Sequence, residues 1–493
     1  MNTDKTTALI IHTDKVSRDD ININGLSGDS IAYFKYNETH LSELEALLKK
    51  CNQDRLLIVN ACQYAITFKN SALKLLNMVA DTHKNWSFIY SDYEIVESNG
   101  NINEPKLLDY HKGRVRSDMD YGFAFLVHVD ALKKVLPFSP ETKQHIFWDL
   151  LLKLSQINKP VHIANRYSGS LYSVNKKQDE QNVFAYLMQS KSSQLEYEAL
   201  LNHHLKAINA YLAPNQNISE VPYFEETFPL DASIIIPVNN RPEFIGTAIH
   251  SALNQTIKKV EVIVVVNGGE KDTTINEVKR YQEGGDLYDA TKPNVKLIVH
   301  DINNIGLCIN AGLEIAEGKY YVQLDSDDLL YEDAVEKLIA VYQSDETIGM
   351  VIGSYDVWEL SKETKTISRL QSIPVVTHDE WTSENGRNNL LRINGAGAPR
   401  SFYIKLAKDL GYLDMNTSPR ARNYGEDYDF VLRMSENYTI GRVWDPIYKV
   451  VRHDGGTDHN ADMNTVDRNN NAKDGMRRAA INRRQKINGA HNG

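Results

Sequence analysis

No stretch of this 493-residue sequence stays apolar for the 18 or so residues that a membrane-spanning helix needs. The N-terminus, MNTDKTTALIIHTDK, also lacks the basic, apolar and small-residue succession of a signal peptide. The expected location is cytoplasmic, with peripheral contact at the inner face of a membrane as the other option. Cysteine is scarce. Cys51, Cys62 and Cys308 are the only three and none stands in a CxxC pair, so neither a disulfide framework nor a cysteine-based zinc site is suggested. Net positive charge is missing too, and a formal charge of -10 argues against a general nucleic-acid binder. What is there, 42% hydrophobic and 24% charged residues, is ordinary for a globular chain with a sizeable core, and the length exceeds what one domain needs.

The most informative segment is KYYVQLDSDDLL, residues 319–330, in which an apolar strand runs into Asp325, Ser326, Asp327 and Asp328. Asp325 and Asp327 repel each other unless something neutralises them, and hard divalent ions take carboxylate oxygens while leaving positions open for phosphate. A solvated turn or a helix N-terminus is the bland alternative. Upstream, ASIIIPVNNRPEFIGTAIHSALNQ reads as a buried strand over Ile234–Ile236, a break at Pro237 and a helix opening at Pro242. Ile245, Ala248, Ile249, Ala252 and Leu253 recur at helical spacing and predict the face that packs on a sheet. VEVIVVVNGG and VKLIVH predict two more strands, and Gly306 to Gly318 a helix. Strand, helix, strand, strand, helix, strand is an open α/β sheet, whose ligands sit beyond the carboxyl ends of its strands. Asn239, Asn240, Asn267, Gly268 and Asp325 all fall there.

SIIIPVNNRPEFIGTAIHSALNQT, EVIVVVNGGEKDT, NNIGLCINAGLEIAEGKYYVQLDSDD and YGEDYDFVLR, in that order between Ser233 and about Asp458, resemble a family 2 glycosyltransferase with the GT-A fold. The resemblance implies that Pro237, Val238, Asn239 and Asn267 border the nucleotide base, with Arg241 near the donor. It puts Asn304 and Gly306 at the ribose and diphosphate, and Asp325, Ser326 and Asp327 at the donor diphosphate, the two acids as metal ligands. The family usually has an acid after the second strand to hold the uracil imide. Asn267 stands there instead, which keeps an acceptor oxygen but loses the charge, so a UDP-sugar is favoured without the base being fixed.

In glycosyl transfer the leaving group is a diphosphate, whose developing charge a Mn2+ or Mg2+ ion would stabilise. The acceptor hydroxyl must also lose a proton. The resemblance assigns Asp427 as general base of an inverting mechanism and Glu426 as its orienting neighbour, with Phe430, Val431 and Met434 on the buried helix face and the carboxylates turned the opposite way; helix N-terminal acids serving only the macrodipole are the alternative. His453, at a strand end, could complete the metal shell, and His459 competes for that role. Arg400, within GAGAPRSFYIKL, is a phosphate or acceptor contact or else a solvent-facing arginine.

The first 228 residues echo this frame. RLLIVNACQYAI from Arg55 lies over KYYVQLDSDDLL, WSFIYSDYEIVESNG from Trp86 over IGMVIGSYDVWELSK, and IFWDLLLKLS from Ile146 over EDYDFVLRMS, at offsets of roughly 260–280 residues. Asn60, Ala61, Cys62 and Gln63 replace the acidic motif, and Ile146 and Phe147 replace Glu426 and Asp427. Without those carboxylates the first copy cannot hold a metal or take a hydroxyl proton. Generic strand-helix periodicity is the competing explanation of the echo. The expected organisation is a degenerate GT-A-like module over 1–183, a helical connector and linker over 184–229, a catalytic GT-A domain over 230–460 and a basic tail over 461–493. That tail, with Arg468, Lys473, Arg477, Arg478, Arg483, Arg484 and Lys486, could lie on anionic lipid, hold an acceptor's phosphates, or be a solvated face packed on the acidic body. The fold class is α/β, with two GT-A-like modules in tandem. The expected partners are a nucleotide sugar and a carbohydrate, lipid-linked or protein acceptor, and the expected role is surface polysaccharide or glycoconjugate assembly. A sugar nucleotidyltransferase and a non-catalytic carbohydrate-binding scaffold are the other readings.

Overall fold

The computed structural model describes residues 6–165, 167, 169–176, 190–222, 228–377, 386–393, 397–415, 417, 425–453 and 463–491. The chain forms two compact units, Met1–Tyr211 and Leu212–Gly493.

In the first unit, β1 (Thr6–His12), β2 (Ile31–Lys35), β3 (Arg55–Ala61), β4 (Phe88–Ser91), β5 (Ala124–His128) and β6 (Val161–Ile163) form one sheet in the order β2-β1-β3-β5-β4-β6. Its central strands are continuous apolar runs. Leu57, Ile58 and Val59 have no exposed surface, as expected of strands covered on both faces. The helices of this unit include α1 (Ile146–Ile157) and α2 (Lys191–Ala207), which buries Leu200, Leu201 and Leu205. A smaller sheet joins Ala65–Phe68, Tyr172–Lys176, Glu94–Glu97 and Ile102–Asn103.

The second unit is built on β7 (Leu230–Val238), β8 (Val260–Val266), β9 (Val295–Val299), β10 (Gly318–Gln323), β11 (Leu329–Leu330), β12 (Ile348–Leu360), β13 (Arg400–Tyr403) and β14 (Thr439–Arg452). Their order is β9-β8-β7-β10-β13-β12-β14-β11. Helix α3 (Pro242–Leu253) buries the five residues that its periodicity predicts, and α4 (Ile305–Ile315) precedes β10. The expected break at Pro237 does not occur. β7 runs on to Val238, because Pro237 pairs only with Val265 of β8 while the pairing with β10 ends at Ile235, so the missing N–H leaves little unsatisfied.

The strand order β2-β1-β3-β5-β4-β6 of the first unit recurs as β8-β7-β10-β13-β12-β14 in the second, with the same succession of parallel and antiparallel pairs. Among the described residues the first sheet has no strand in the place of β9. Two further helices belong to the second unit, α5 (Glu426–Met434) and α6 (Met463–His491).

The stretch expected to be a linker is bound to the second unit at its start. Leu212 N–H donates to Asn388 Oδ1 (3.1 Å), Ser219 N–H to the Asn437 carbonyl (2.9 Å) and Val221 N–H to the Glu346 carbonyl (2.8 Å). The basic tail is not simply a charged outer face either. In α6, Arg477 pairs with Asp474 (2.8 Å), Arg483 with Glu436 (2.7 Å), and the fully buried Arg484 donates to the Arg387 carbonyl (2.8 Å). Among the described residues no helix is long and apolar enough to cross a membrane.

Close approach of β7 and β10 requires glycine at position 318. A Cβ there would lie 2.4 Å from the Ala232 carbonyl carbon and 2.5 Å from the Ser233 nitrogen. Gly318→Ala is therefore expected to cost about 1–3 kcal/mol, the usual price of overpacking, seen as a lower urea midpoint with an unchanged m value.

Candidate active site

The carboxyl ends of β7 and β8 bring Asn239 and Asn267 together, with Asn239 Nδ2 donating to Asn267 Oδ1 (2.8 Å). Asn267 Nδ2 donates in turn to Asn303 Oδ1 (3.2 Å) and Cys308 Sγ (3.3 Å). The β7–α3 turn is shaped by a residue that the sequence did not single out, Asp272. Its buried carboxylate accepts from Asn240 N–H (2.7 Å) and Thr274 N–H (2.8 Å), which holds Asn240 at a φ of +48°. Its signal was only a second acid, five residues after Asn267.

Asn304 and Gly306 are both committed to structure. Asn304 Oδ1 caps α4 by accepting Leu307 N–H (2.9 Å), and a Cβ on Gly306 would meet the Asp414 carbonyl oxygen at 2.1 Å. The cap aims the start of α4, and the glycine lets the backbone near Asp414 close against it.

The acidic motif follows β10. Asp325 N–H donates to the Tyr448 hydroxyl (2.9 Å), and Gln323 Nε2 donates to Asp325 Oδ1 (3.1 Å). Burial pushes the Asp325 carboxyl up, and the neighbouring Asp327 and Asp427 push the same way against Arg400 and Gln323. Asp327 Oδ2 pairs with Arg241 Nη1 and lies 2.9 Å from His453 Nε2. The His453 ring packs on Phe244 at 4.2 Å. Asp328 does different work: its buried carboxylate accepts Val451 N–H (2.8 Å) and fixes the end of β14. Pro237 and Val238 end β7 and Ser326 follows β10, with Val238 and Ser326 buried. His459 lies outside the described residues.

Hard carboxylate oxygens with one imidazole nearby suit Mn2+ or Mg2+, and the raised Asp325 carboxyl is charge that a cation would relieve. Asp325 and Asp327 are the residues that would hold it, with His453 beside them. Among the described residues no three such side chains already converge as a cation cage; Arg241 occupies Asp327 instead.

Glu426 and Asp427 open α5 behind Gly425, whose φ of +88° turns the chain into the helix. Glu426 is not turned outward as expected. It lies one turn before Phe430 on the same face and is 7% exposed, whereas Asp427 keeps 29% of its side-chain surface open. Burial, then the charge of Asp427, pushes the Glu426 carboxyl up to about 7. Burial would raise Asp427 too, but Arg400, Lys473 and the Tyr428 N–H outweigh it and hold the carboxyl below its usual range. Arg400 is accordingly not a solvent-facing arginine: its Nη1 sits 2.7 Å from Asp427 Oδ2 and the residue is 8% exposed. Asp325, Asp427, Glu426 and Arg400 thus form one electrostatic cluster, an ionised carboxylate with open surface next to the acids after β10. Lys473, from the tail, belongs to it as well.

Residues 233–396 match the family model for glycosyl transferase family 2. Chondroitin synthase of Escherichia coli is 32% identical over 151 residues, 31% of this chain and 21% of that protein. The poly(ribitol-phosphate) beta-N-acetylglucosaminyltransferase TarP of Staphylococcus aureus (strain N315) is 32% identical over 128 residues, 25% of this chain and 36% of that one. The chain therefore spans between a fifth and about a third of the length of these relatives. Among solved structures, S. aureus TarS 1-349 in complex with UDP aligns at 21% identity and a TM-score of 0.36 over 45% of this chain and 61% of that one. The α/β sheet of the second unit is the architecture that the GT-A motifs implied, and residues 233–396 are a glycosyl transferase family 2 domain.

Proposed function

We propose that this protein is an inverting glycosyltransferase that moves a sugar from a nucleoside diphosphate sugar, UDP favoured, to an acceptor hydroxyl. The observation that carries the reading is Asp427: a carboxylate kept ionised by Arg400, partly open to solvent, beside the acids that end β10. It is poised to take the acceptor's proton, with Glu426 behind it. Asn239 and Asn267 offer amide groups to the base, and Arg241 is placed to reach the donor's phosphates. Mn2+ or Mg2+ at Asp325 and Asp327, with His453 adjacent, would supply charge stabilisation of the departing diphosphate. The names of the relatives, a chondroitin synthase and a transferase acting on poly(ribitol-phosphate), support a role in polysaccharide or glycoconjugate assembly. The direct test is nucleoside diphosphate release from a panel of sugar nucleotides by the full chain with Mn2+. Release from at least one donor is expected, and no release together with no nucleotide binding would overturn the reading.

The first unit we read as a degenerate GT-A-like module with a structural or acceptor-directed use. Cys62, at the position of the acids, is no reactive thiolate, since burial pushes its thiol up to about 11. Asn60 Oδ1 accepts Cys62 N–H (3.3 Å). Asn60→Ala and Cys62→Ser are expected to leave turnover within about twofold of wild type, being half-buried changes away from the chemistry; a tenfold loss at unchanged stability would give this module a catalytic part.

A further inference from the structure

The acid turn after β10 hangs on β14. Leu324 N–H still donates to the Ile235 carbonyl of β7 (3.4 Å), so Asp325 is the first residue after β10 whose N–H the sheet no longer serves. Tyr448 of β14 takes that N–H on its hydroxyl (2.9 Å), and the same hydroxyl hydrogen-bonds the Asp328 carboxylate. Having accepted from Asp325, it donates to Asp328. Further along, Val451 N–H donates to the same carboxylate (2.8 Å), and His453, just past the strand, brings Nε2 within 2.9 Å of Asp327 Oδ2. The turn closes on itself through Asp328 N–H and the Asp325 carbonyl (3.2 Å). Tyr448 cannot follow a movement of this turn. It is fully buried, and its backbone stands between Leu330 of β11 and Tyr355 of β12 in the sheet.

Resting on the reading that a divalent cation binds Asp325 and Asp327, we propose that Tyr448 is the positioning residue of that cation site: its hydroxyl fixes the backbone at Asp325 and so the spacing of the two carboxylates. A phenylalanine would fill the same space, so packing does not account for the hydroxyl. Gln323 also reaches Asp325, but at the carboxylate (3.1 Å), which orients the side chain and leaves the backbone to the turn. Without the Tyr448 hydroxyl, Asp325 N–H loses its acceptor and Asp328 loses one of its donors. The turn is then held only at Asp327 and by Val451, and Asp325 is free to move relative to both. A cation tolerates little of this, because ligand oxygens must sit within about 0.2 Å of their ideal distance. Groups that hold the ligands of a metal accordingly contribute about 10- to 100-fold to its affinity. Tyr448 acts through Asp325 and needs no contact of its own with cation or substrate.

The test measures UDP binding by the full chain, by calorimetry, over a series of Mn2+ concentrations. Tyr448→Phe is expected to raise the Mn2+ concentration that gives half of the Mn2+ effect by about 10- to 100-fold, with metal-free UDP affinity unchanged. Tyr342→Phe is the control for lost stability. It too removes a buried hydroxyl, one that donates to Ser401 Oγ (3.0 Å), and it should lower the Tm while keeping the wild-type Mn2+ dependence. Asp328→Asn leaves one acceptor oxygen for the two donors, Val451 N–H and the Tyr448 hydroxyl, and is expected to shift the Mn2+ dependence in the same direction as Tyr448→Phe. Wild-type Mn2+ dependence in folded Tyr448→Phe overturns the role, however far its Tm falls, and should that variant not fold, wild-type dependence in Asp328→Asn does so. An equal shift in Tyr342→Phe would also overturn it, by making the effect one of general destabilisation. Absence of any Mn2+ effect in the wild type overturns the cation reading and this role together.

Discussion

Asp427→Asn is expected to lower glycosyl transfer by about 100- to 10000-fold, the range of a positioned general base, while leaving nucleoside diphosphate affinity unchanged. The amide keeps the size of the side chain and can still face Arg400, so the start of α5 should hold its shape, but it cannot accept the acceptor's proton. A base acts on the acceptor and contributes little to holding the donor, hence the split between kcat and donor binding. The pH dependence carries the same signature. Arg400 and Lys473 hold the Asp427 carboxyl below its usual range, so activity should persist into mildly acidic solution and not fall with an Asp427 limb near neutrality. Glu426, raised to about 7 by burial and by Asp427, should add an inflection near that pH, and Glu426→Gln should remove it. Full activity in Asp427→Asn, or a loss confined to donor binding, would refute the assignment.

How much of this was legible depended on which physical signal each residue carried. β7, β8 and β10 were readable because strands buried on both faces are continuous apolar runs, and α3 because its five buried residues recur at helical spacing. The likeness of motifs offered His453 as a possible member of the metal shell, but not its direct contact with Asp327. The burial of Glu426 was available in principle, since Glu426 and Phe430 share a face at i and i+4, but a carboxylate beside a glycine reads as exposed. The place of α6 was not readable. Its buried face sets Asp474, Arg477 and Arg484 among Ala472, Met476, Ala480 and Ile481, and the charged members look in composition like a solvated surface. Asp272 was missed because it touches backbone N–H groups of a turn, a role without a sequence period.

Asp325→Ala and Asp327→Ala are each expected to abolish the Mn2+-dependent part of nucleoside diphosphate affinity, because each removes one of the two carboxylates that would hold the cation. Neither side chain fills the core, and Asp328, not these two, pins β14, so the fold should survive both changes. The two variants should differ in the absence of metal. Asp325 is half-buried, its carboxyl pushed up by desolvation and by Asp327, so alanine there relieves an unfavourable charge and thermal stability should hold or rise without Mn2+. Asp327 holds Arg241 and His453, so alanine there releases both, and stability should fall modestly, by the about 0–1 kcal/mol typical of a partly exposed ion pair. The freed Arg241 guanidinium sits at the opening of α3, close to where the phosphates would lie. Metal-free nucleotide affinity in Asp327→Ala is therefore expected to match or exceed that of wild type even as the Mn2+ effect disappears. Calorimetry with UDP, with and without Mn2+, separates these outcomes, and an undiminished Mn2+ effect in both variants would remove the cation from Asp325 and Asp327.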